Sequence, residues 1–309
     1  MQSNSKRRRY KKTLMKFFIH ILATVIAGIW GTTYVVTKIL LSAGLQPADI
    51  FFYRFFLAYL LIWPLCKGKV LADSRRDEML FLAAGLTGGS MYFLAENTAL
   101  QFAQASDVAI LVSACPIWTS IVLAMFYRSE RLSPRQWGGV LIAFVGVCLV
   151  VFNGQMVLHL SPMGYTLALL SGLLWAFYQL CTKPILLSGR YSSWFITRKV
   201  FFYGLLTIMP YFFIAHPLNT DTDVLLKPEV VGSFLGLVIV ANVGCYALWN
   251  KVMRELGAVK SSFYIYLSPA FTMIVAYLLL GESITVMALA GLVVLVFGMV
   301  LAEKRKKNK

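Results

Sequence analysis

The sequence predicts an all-α polytopic membrane protein, with ten transmembrane helices arranged as two inverted five-helix repeats. Three observations carry that expectation. Of 309 residues, 59% are apolar and 14% charged, with a mean hydropathy of +0.73, a ratio that no water-soluble core absorbs. The apolar residues fall into runs of about 20, the length that crosses a bilayer as a helix. The chain also matches itself at a fixed offset, the mark of a duplicated unit.

The runs are bounded by charge, Pro and Gly. The first, 17–41, follows Lys6, Arg7, Arg8, Arg9, Lys11, Lys12 and Lys16. It is too long for a secretory signal and lacks a small-residue cleavage site, so it reads as a retained span. Segment 48–66 carries Arg54 and ends at the 67–77 loop; 78–98 ends on Glu96 and Asn97. Segments 105–127 and 134–152 hold Pro116 and the small residues Gly139, Ala143 and Gly146. In the second half, 162–184 carries Trp175 and Lys183, 192–215 carries Arg198, and 230–250 follows an acidic loop over 216–229. Segments 258–280 and 284–302 contain Pro269 and the pair Gly291 and Gly298. The chain thus divides into a basic segment 1–16, repeats over 17–152 and 162–302, and a basic tail 303–309.

Charge placement sets the topology, because Lys and Arg of short loops stay cytoplasmic. With the N-terminus inside, all 29 Lys and Arg except Lys38, Arg54 and Lys227 fall on the cytoplasmic side, and an even span count leaves both termini there. The net charge of +16 is then a topological label and an attraction to anionic headgroups, with no nucleic-acid partner implied. Cys66, Cys115, Cys148, Cys181 and Cys245 stand singly in apolar stretches, without metal-ligand spacing, and read as small buried residues.

Trp30 to Lys38 aligns with Trp175 to Lys183, and Arg54 with Arg198 one residue out of register. Asn97 to Pro116 aligns without gaps to Asn250 to Pro269; Glu130, Gly139 and Gly146 then match Glu282, Gly291 and Gly298. Five spans per copy is an odd number, so the second copy enters the membrane from the opposite side. Thr98, Gln101 and Asp107 correspond to Lys251, Arg254 and Lys260, as loops on opposite faces require. Inverted repeats supply two states of similar energy, which alternating access needs; duplication merely to build a large bundle is the other reading.

The tract Thr98 to Pro116, followed by Ser129-Glu130-Arg131-Leu132 and Gly138-Gly139 to Gly146, resembles the drug/metabolite transporter superfamily, EamA-type branch. So do Ser268-Pro269, Gly281-Glu282-Ser283-Ile284 and Gly291 to Gly298, together with Trp30-Gly31, Tyr34 and Arg54 to Ala58. The resemblance implies ten helices in two inverted repeats, a central cavity, cytoplasmic termini and export of small metabolites or amino acids. Phe177 and Gln179 stand where the first half has Thr32 and Tyr34, so the cavity is expected to be chemically asymmetric.

Candidate cavity residues are Trp30, Tyr34, Tyr92, Ser113, Trp118, Trp175, Tyr178, Gln179, Tyr246, Asn250 and Tyr266: aromatic surface with a few hydrogen-bonding groups. An interfacial belt is the alternative for any single Trp or Tyr, less so for Trp30 and Trp175, which are matched near mid-span. Pro116 and Pro269 mark helix kinks. Lys38, Arg54, Glu96, Lys183 and Arg198 are candidates for gate or charge contacts, because a charge within a span costs about 2.5–3.5 kcal/mol unless it snorkels or pairs. For Glu96 the alternatives are a proton relay, neutralisation of Arg54, or an interfacial carboxylate facing water. Neither a phosphate-binding Gly-rich loop nor a catalytic or metal cluster is legible, so no cofactor and no enzyme activity is expected. The small residues of segments 5 and 10 serve internal packing or a homodimer. The expected partners are a small-molecule substrate and the lipid bilayer, here the bacterial inner membrane. The expected function is a secondary transporter that exports small organic metabolites such as amino acids. Nucleotide sugars or other anionic metabolites, bound by Lys38, Arg54, Lys183 and Arg198, are the alternative; an intramembrane enzyme or lipid-handling protein is a further one.

Overall fold

The computed structural model describes residues 2–66, 69–152, 162–281 and 286–303. Lys67, His159, Glu282 and the basic tail from Lys304 to Lys309 lie outside the described residues. Within them all regular structure is helical. The long helices are α1 (Gln2–Ser42), α2 (Pro47–Leu65), α3 (Arg75–Phe102), α4 (Ala105–Phe126) and α5 (Pro134–Phe152), then α6 (Pro162–Ser188), α7 (Ser193–Ile214), α8 (Pro228–Leu256), α9 (Ala258–Leu279) and α10 (Val286–Glu303). Among the described residues seven are long and apolar enough to cross a membrane: Phe17–Ser42 of α1, with α2, α3, α4, α6, α8 and α9. Helix α10 contains the shorter apolar stretch Leu289–Ala302, and α7 carries Arg198 and Lys199 in its first two turns.

Helix ends follow local chemistry. Pro47 opens α2, where its missing N–H is no loss, and Asp49 accepts from the Gln46 N–H at 3.0 Å. Ser74 caps α3 by accepting from Asp77 N at 3.1 Å, and Ser192 caps α7 by accepting from Phe195 N at 3.1 Å. These caps and polar end residues carry α3 beyond the expected 78–98, and α8 likewise exceeds 230–250. Gly257, at φ 86°, separates α8 from α9 in a conformation that favours glycine.

Both prolines lie in the first turn of a helical stretch that follows a change in winding. Helix α4 breaks at Ser113 and Ala114 and resumes as Cys115–Phe126, with Pro116 in its first turn. Helix α9 passes through a 3₁₀ segment, Phe263–Leu267, and resumes as Ser268–Leu280 with Pro269 in its first turn. A proline there forfeits no intrahelical bond.

The halves interlock. Helix α1 packs on α8 and α9, α2 on α7, α3 on α6 and α7, and α5 on α10. The last contact uses the small residues: a β-carbon on Gly139, Gly146 or Gly298 would run into the backbone of Ala302, Leu295 or Ala143. Close helix approach is thus accounted for inside one chain. Near the middle of α3 and α8 the winding loosens to π-helix, at Leu86–Ser90 and Gly236–Gly244. The offset that aligns Asn97 with Asn250 superposes these two stretches.

Candidate functional site

Where the halves meet, Trp30 and Tyr34 of α1, Arg54 of α2, Tyr92 and Glu96 of α3, Cys115 of α4, Trp175 of α6, Tyr246 of α8 and Ser268 of α9 surround a cavity. Its volume is about 40 Å³, a narrow space. Its aromatic wall is continuous. The Trp30 and Trp175 rings meet edge to face at 5.4 Å, Tyr246 lies 5.8 Å from Trp30 and 6.1 Å from Trp175, and Tyr92 is 5.4 Å from Trp175. Edge-to-face contacts of this kind favour a rigid wall.

The π-helical stretches position that wall. Loosened winding frees carbonyls from the helical ladder, and at equivalent places in the two halves such a carbonyl receives an aromatic donor: Trp30 Nε1 donates to Ala241 O at 3.2 Å, and Tyr246 OH to Gly88 O at 3.1 Å. Each donor belongs to the half opposite its acceptor.

Two charges enter the cavity. Arg54 is 2% exposed; its Nε and Nη2 donate to Asn242 Oδ1 at 3.2 and 2.6 Å, and its guanidinium lies 4.3 Å from the Phe93 ring centroid. The same Asn242 returns a bond from Nδ2 to Arg54 O at 3.2 Å. Glu96 is 5% exposed and accepts from Tyr92 OH at 2.9 Å, so it is an interior carboxylate and not one facing water at a boundary. It acts on Arg54 across the cavity, without a direct ion pair.

The other basic candidates lie elsewhere. Lys38 Nζ donates to the Leu100 and Ala103 carbonyls at 2.6 and 2.8 Å, capping the C-terminus of α3. Lys183 pairs with Glu130, its Nζ 4.9 Å from the Tyr127 ring. Arg198 donates to Lys69 O at 2.5 Å and Cys66 O at 3.4 Å, against Trp63 and Phe195. Arg198 thereby fastens the α2–α3 connection to α7.

Trp30, Tyr34, Tyr92, Trp175 and Tyr246 of the expected cavity set line the space; Ser113, Trp118, Tyr178, Gln179, Asn250 and Tyr266 do not. Tyr178 and Thr197 meet Asn250 behind the wall, at 3.5 and 3.0 Å. With its amide assigned from the surrounding donors and acceptors, Gln179 accepts from Trp175 Nε1 at 3.0 Å and donates to Ala258 O at 2.9 Å, which steadies the indole. Ser113 donates to Ile110 O at 2.7 Å, and Tyr266 to Val140 O at 3.4 Å in a separate cluster of α4, α5, α9 and α10. Trp118 is half-buried. Thr33, Phe93, Val112, Cys115 and Ile265 also line the cavity, and Asn242 holds its arginine. Sequence patterning did not single them out.

The EamA-like transporter family matches residues 17–152 and again 162–303. The chain belongs to the EamA-like transporter family. It is a multi-pass integral membrane transporter. Its relatives span its length: an uncharacterized transporter of Archaeoglobus fulgidus is 28% identical over 93% of this chain and 98% of its own. A probable amino-acid metabolite efflux pump of Salmonella typhimurium is 26% identical over 90% and 92%. A probable terminal-alkyne amino-acid exporter of Streptantibioticus cattleyicolor is 25% identical over 74% of each chain. A crystal structure with a TM-score of 0.69 and 14% identity, covering 92% of this chain and 95% of that one, shares the fold.

Proposed function

We propose that this EamA-like transporter exports small zwitterionic metabolites of the amino-acid type, by alternating access, across the bacterial inner membrane. Ten spans with both termini in the cytoplasm complete the reading. The observation that carries it is one cavity between the halves in which a guanidinium and a carboxylate, not paired with each other, share an aromatic wall. A substrate carboxylate would take the edge of Arg54 left by Asn242, and its ammonium would face Glu96 and the rings, where a cation is favoured. The amino-acid exporters among the relatives support the substrate class. Against anionic metabolites, Lys38 and Arg198 are committed to carbonyls and Lys183 to Glu130, so four cations do not converge.

The test is counterflow of a carbon-13-labelled L-amino-acid mixture in proteoliposomes. Arg54→Gln is expected to weaken apparent affinity roughly ten- to hundred-fold, the worth of a charged hydrogen bond, about 1.5–3 kcal/mol. Unchanged affinity in a well-inserted variant, or competition by nucleotide sugars but not by zwitterions, would sink the reading.

A further inference from the structure

We propose that Glu96 is the proton-binding group of the transport cycle, and that a proton and the substrate ammonium compete for its carboxylate. This rests on the zwitterion reading of the cavity. Glu96 is the acidic residue of the cavity wall. Four acidic groups at helix ends are committed elsewhere: Asp49 to Gln46 N and Asn219 N, Asp77 to Tyr191 and Arg190, Glu78 to Lys199 and Tyr203, and Glu130 to Lys183. Glu96 instead receives neutral phenol donors, Tyr92 OH and Tyr34 OH, while Arg54 stays on Asn242 across the space. A carboxylate so placed takes its counter-charge from whatever enters the cavity, and an ionisable group at this depth is functional by default.

Among the groups that face it the charged one is Arg54, held on Asn242 across the space; the rest are neutral. Helix α1 brings Tyr34, α2 Arg54, α4 Cys115 and α8 Tyr246, and α6 contributes the Trp175 ring. Tyr178 of α6 turns to Asn250. The charged and phenolic groups that α7 presents to α3, Lys199 and Tyr203, meet Glu78 at the far end of that helix. The equivalent position in the second half is Trp249, so the duplication supplies one carboxylate and hence one proton per cycle. Facing the cytoplasm, Glu96 releases its proton and accepts the substrate ammonium. Facing outward, a proton from outside displaces that ammonium and neutralises the carboxylate for the return. One proton enters for each zwitterion that leaves, carrying one positive charge inward.

The experiment uses the full chain in proteoliposomes with the labelled amino-acid mixture. An imposed pH gradient is expected to concentrate amino acid against the proton flow by about tenfold per pH unit, the ratio one proton supplies. Glu96→Gln is expected to abolish this accumulation while gradient-free exchange continues at a reduced, pH-insensitive rate. Exchange in the native protein without gradient-driven accumulation, or accumulation that survives Glu96→Gln, overturns the proton assignment and leaves the amino-acid reading standing. Absence of exchange for every amino acid overturns that reading instead. The proton assignment is then decided by infrared difference spectra on acidification. A carboxyl band lost in Glu96→Gln upholds it, and its absence from the native protein overturns it.

Discussion

Arg54 is held in place before any substrate arrives. Asn242 accepts from one edge of its guanidinium and donates in return to the Arg54 carbonyl, and Phe93 supports its face. Asn242→Ala is therefore expected to lower stability by about 1.5–3 kcal/mol, since it strands a buried charge. Asn242→Asp keeps an acceptor and restores stability, yet engages Arg54 with a carboxylate and weakens substrate binding. Thermal unfolding in detergent and counterflow affinity read the two effects; an alanine variant as stable as the native protein would refute the anchoring role. Arg54 and Glu96 were legible in the sequence because charge inside an apolar run is costly. Asn242 sends a weaker signal, one neutral amide in an apolar stretch, and Val112 or Ile265 sends none. The polarity of Ser113, Gln179 and Asn250 was equally visible, but periodicity does not say whether a polar side chain faces a cavity or a neighbouring backbone.

At the scale of elements, span-length runs and their bounding charges were readable because hydrophobicity over about 20 residues dominates helix placement in a membrane. The π-helical stretches of α3 and α8 were not, since a change of winding alters which carbonyls are free without altering composition. Gly88 shows why the stretch in α3 matters: its carbonyl receives Tyr246, and a β-carbon there would run into the Tyr178 ring. Gly232 of α8 is exposed, and a β-carbon there meets nothing within 4 Å. Gly88→Ala is expected to cost about 1–3 kcal/mol through overpacking and to shift Tyr178 and Tyr246, whereas Gly232→Ala gains up to about 1 kcal/mol from helix propensity. Paired thermal unfolding measurements check this, and equal effects from both substitutions would remove the packing argument.

In the whole molecule the two mouths are closed by different chemistry, although the repeats are related. At one end the α2–α3 connection and the start of α3 are tied to the second half by ions. Arg198 holds two carbonyls, Lys199 and Tyr203 converge on Glu78, and Arg190 and Tyr191 on Asp77. Burial first, and then the hydrogen bond to Asp77, push the Tyr191 phenol up to about 12, so it remains a neutral donor throughout the physiological range. At the other end Tyr53 OH donates to Asn219 O at 2.5 Å and Asp49 accepts from Asn219 N at 3.1 Å, while Asn97 to Pro47 O at 3.0 Å, Gln101 to Gln46 at 3.2 Å and Lys38 to the Leu100 and Ala103 carbonyls hold α1, α2 and α3 together. The alternating access proposed above requires both ends to open at a cost of only a few kcal/mol, so loosening the ionic end should shift the balance toward opening there. Cys115 in the cavity wall is a built-in reporter. With Cys66, Cys148, Cys181 and Cys245 replaced, Lys199→Met should raise labelling of Cys115 by an impermeant maleimide, applied from the side of the α2–α3 connection, by roughly tenfold, equivalent to about 1.4 kcal/mol. Exchanging the charges with Glu78→Lys and Lys199→Glu should return labelling toward the starting level, because the pair is rebuilt with its sign reversed. Labelling that does not respond to Lys199→Met, or that the exchanged pair fails to lower, would mean that this network holds the helices together without closing the path to the cavity.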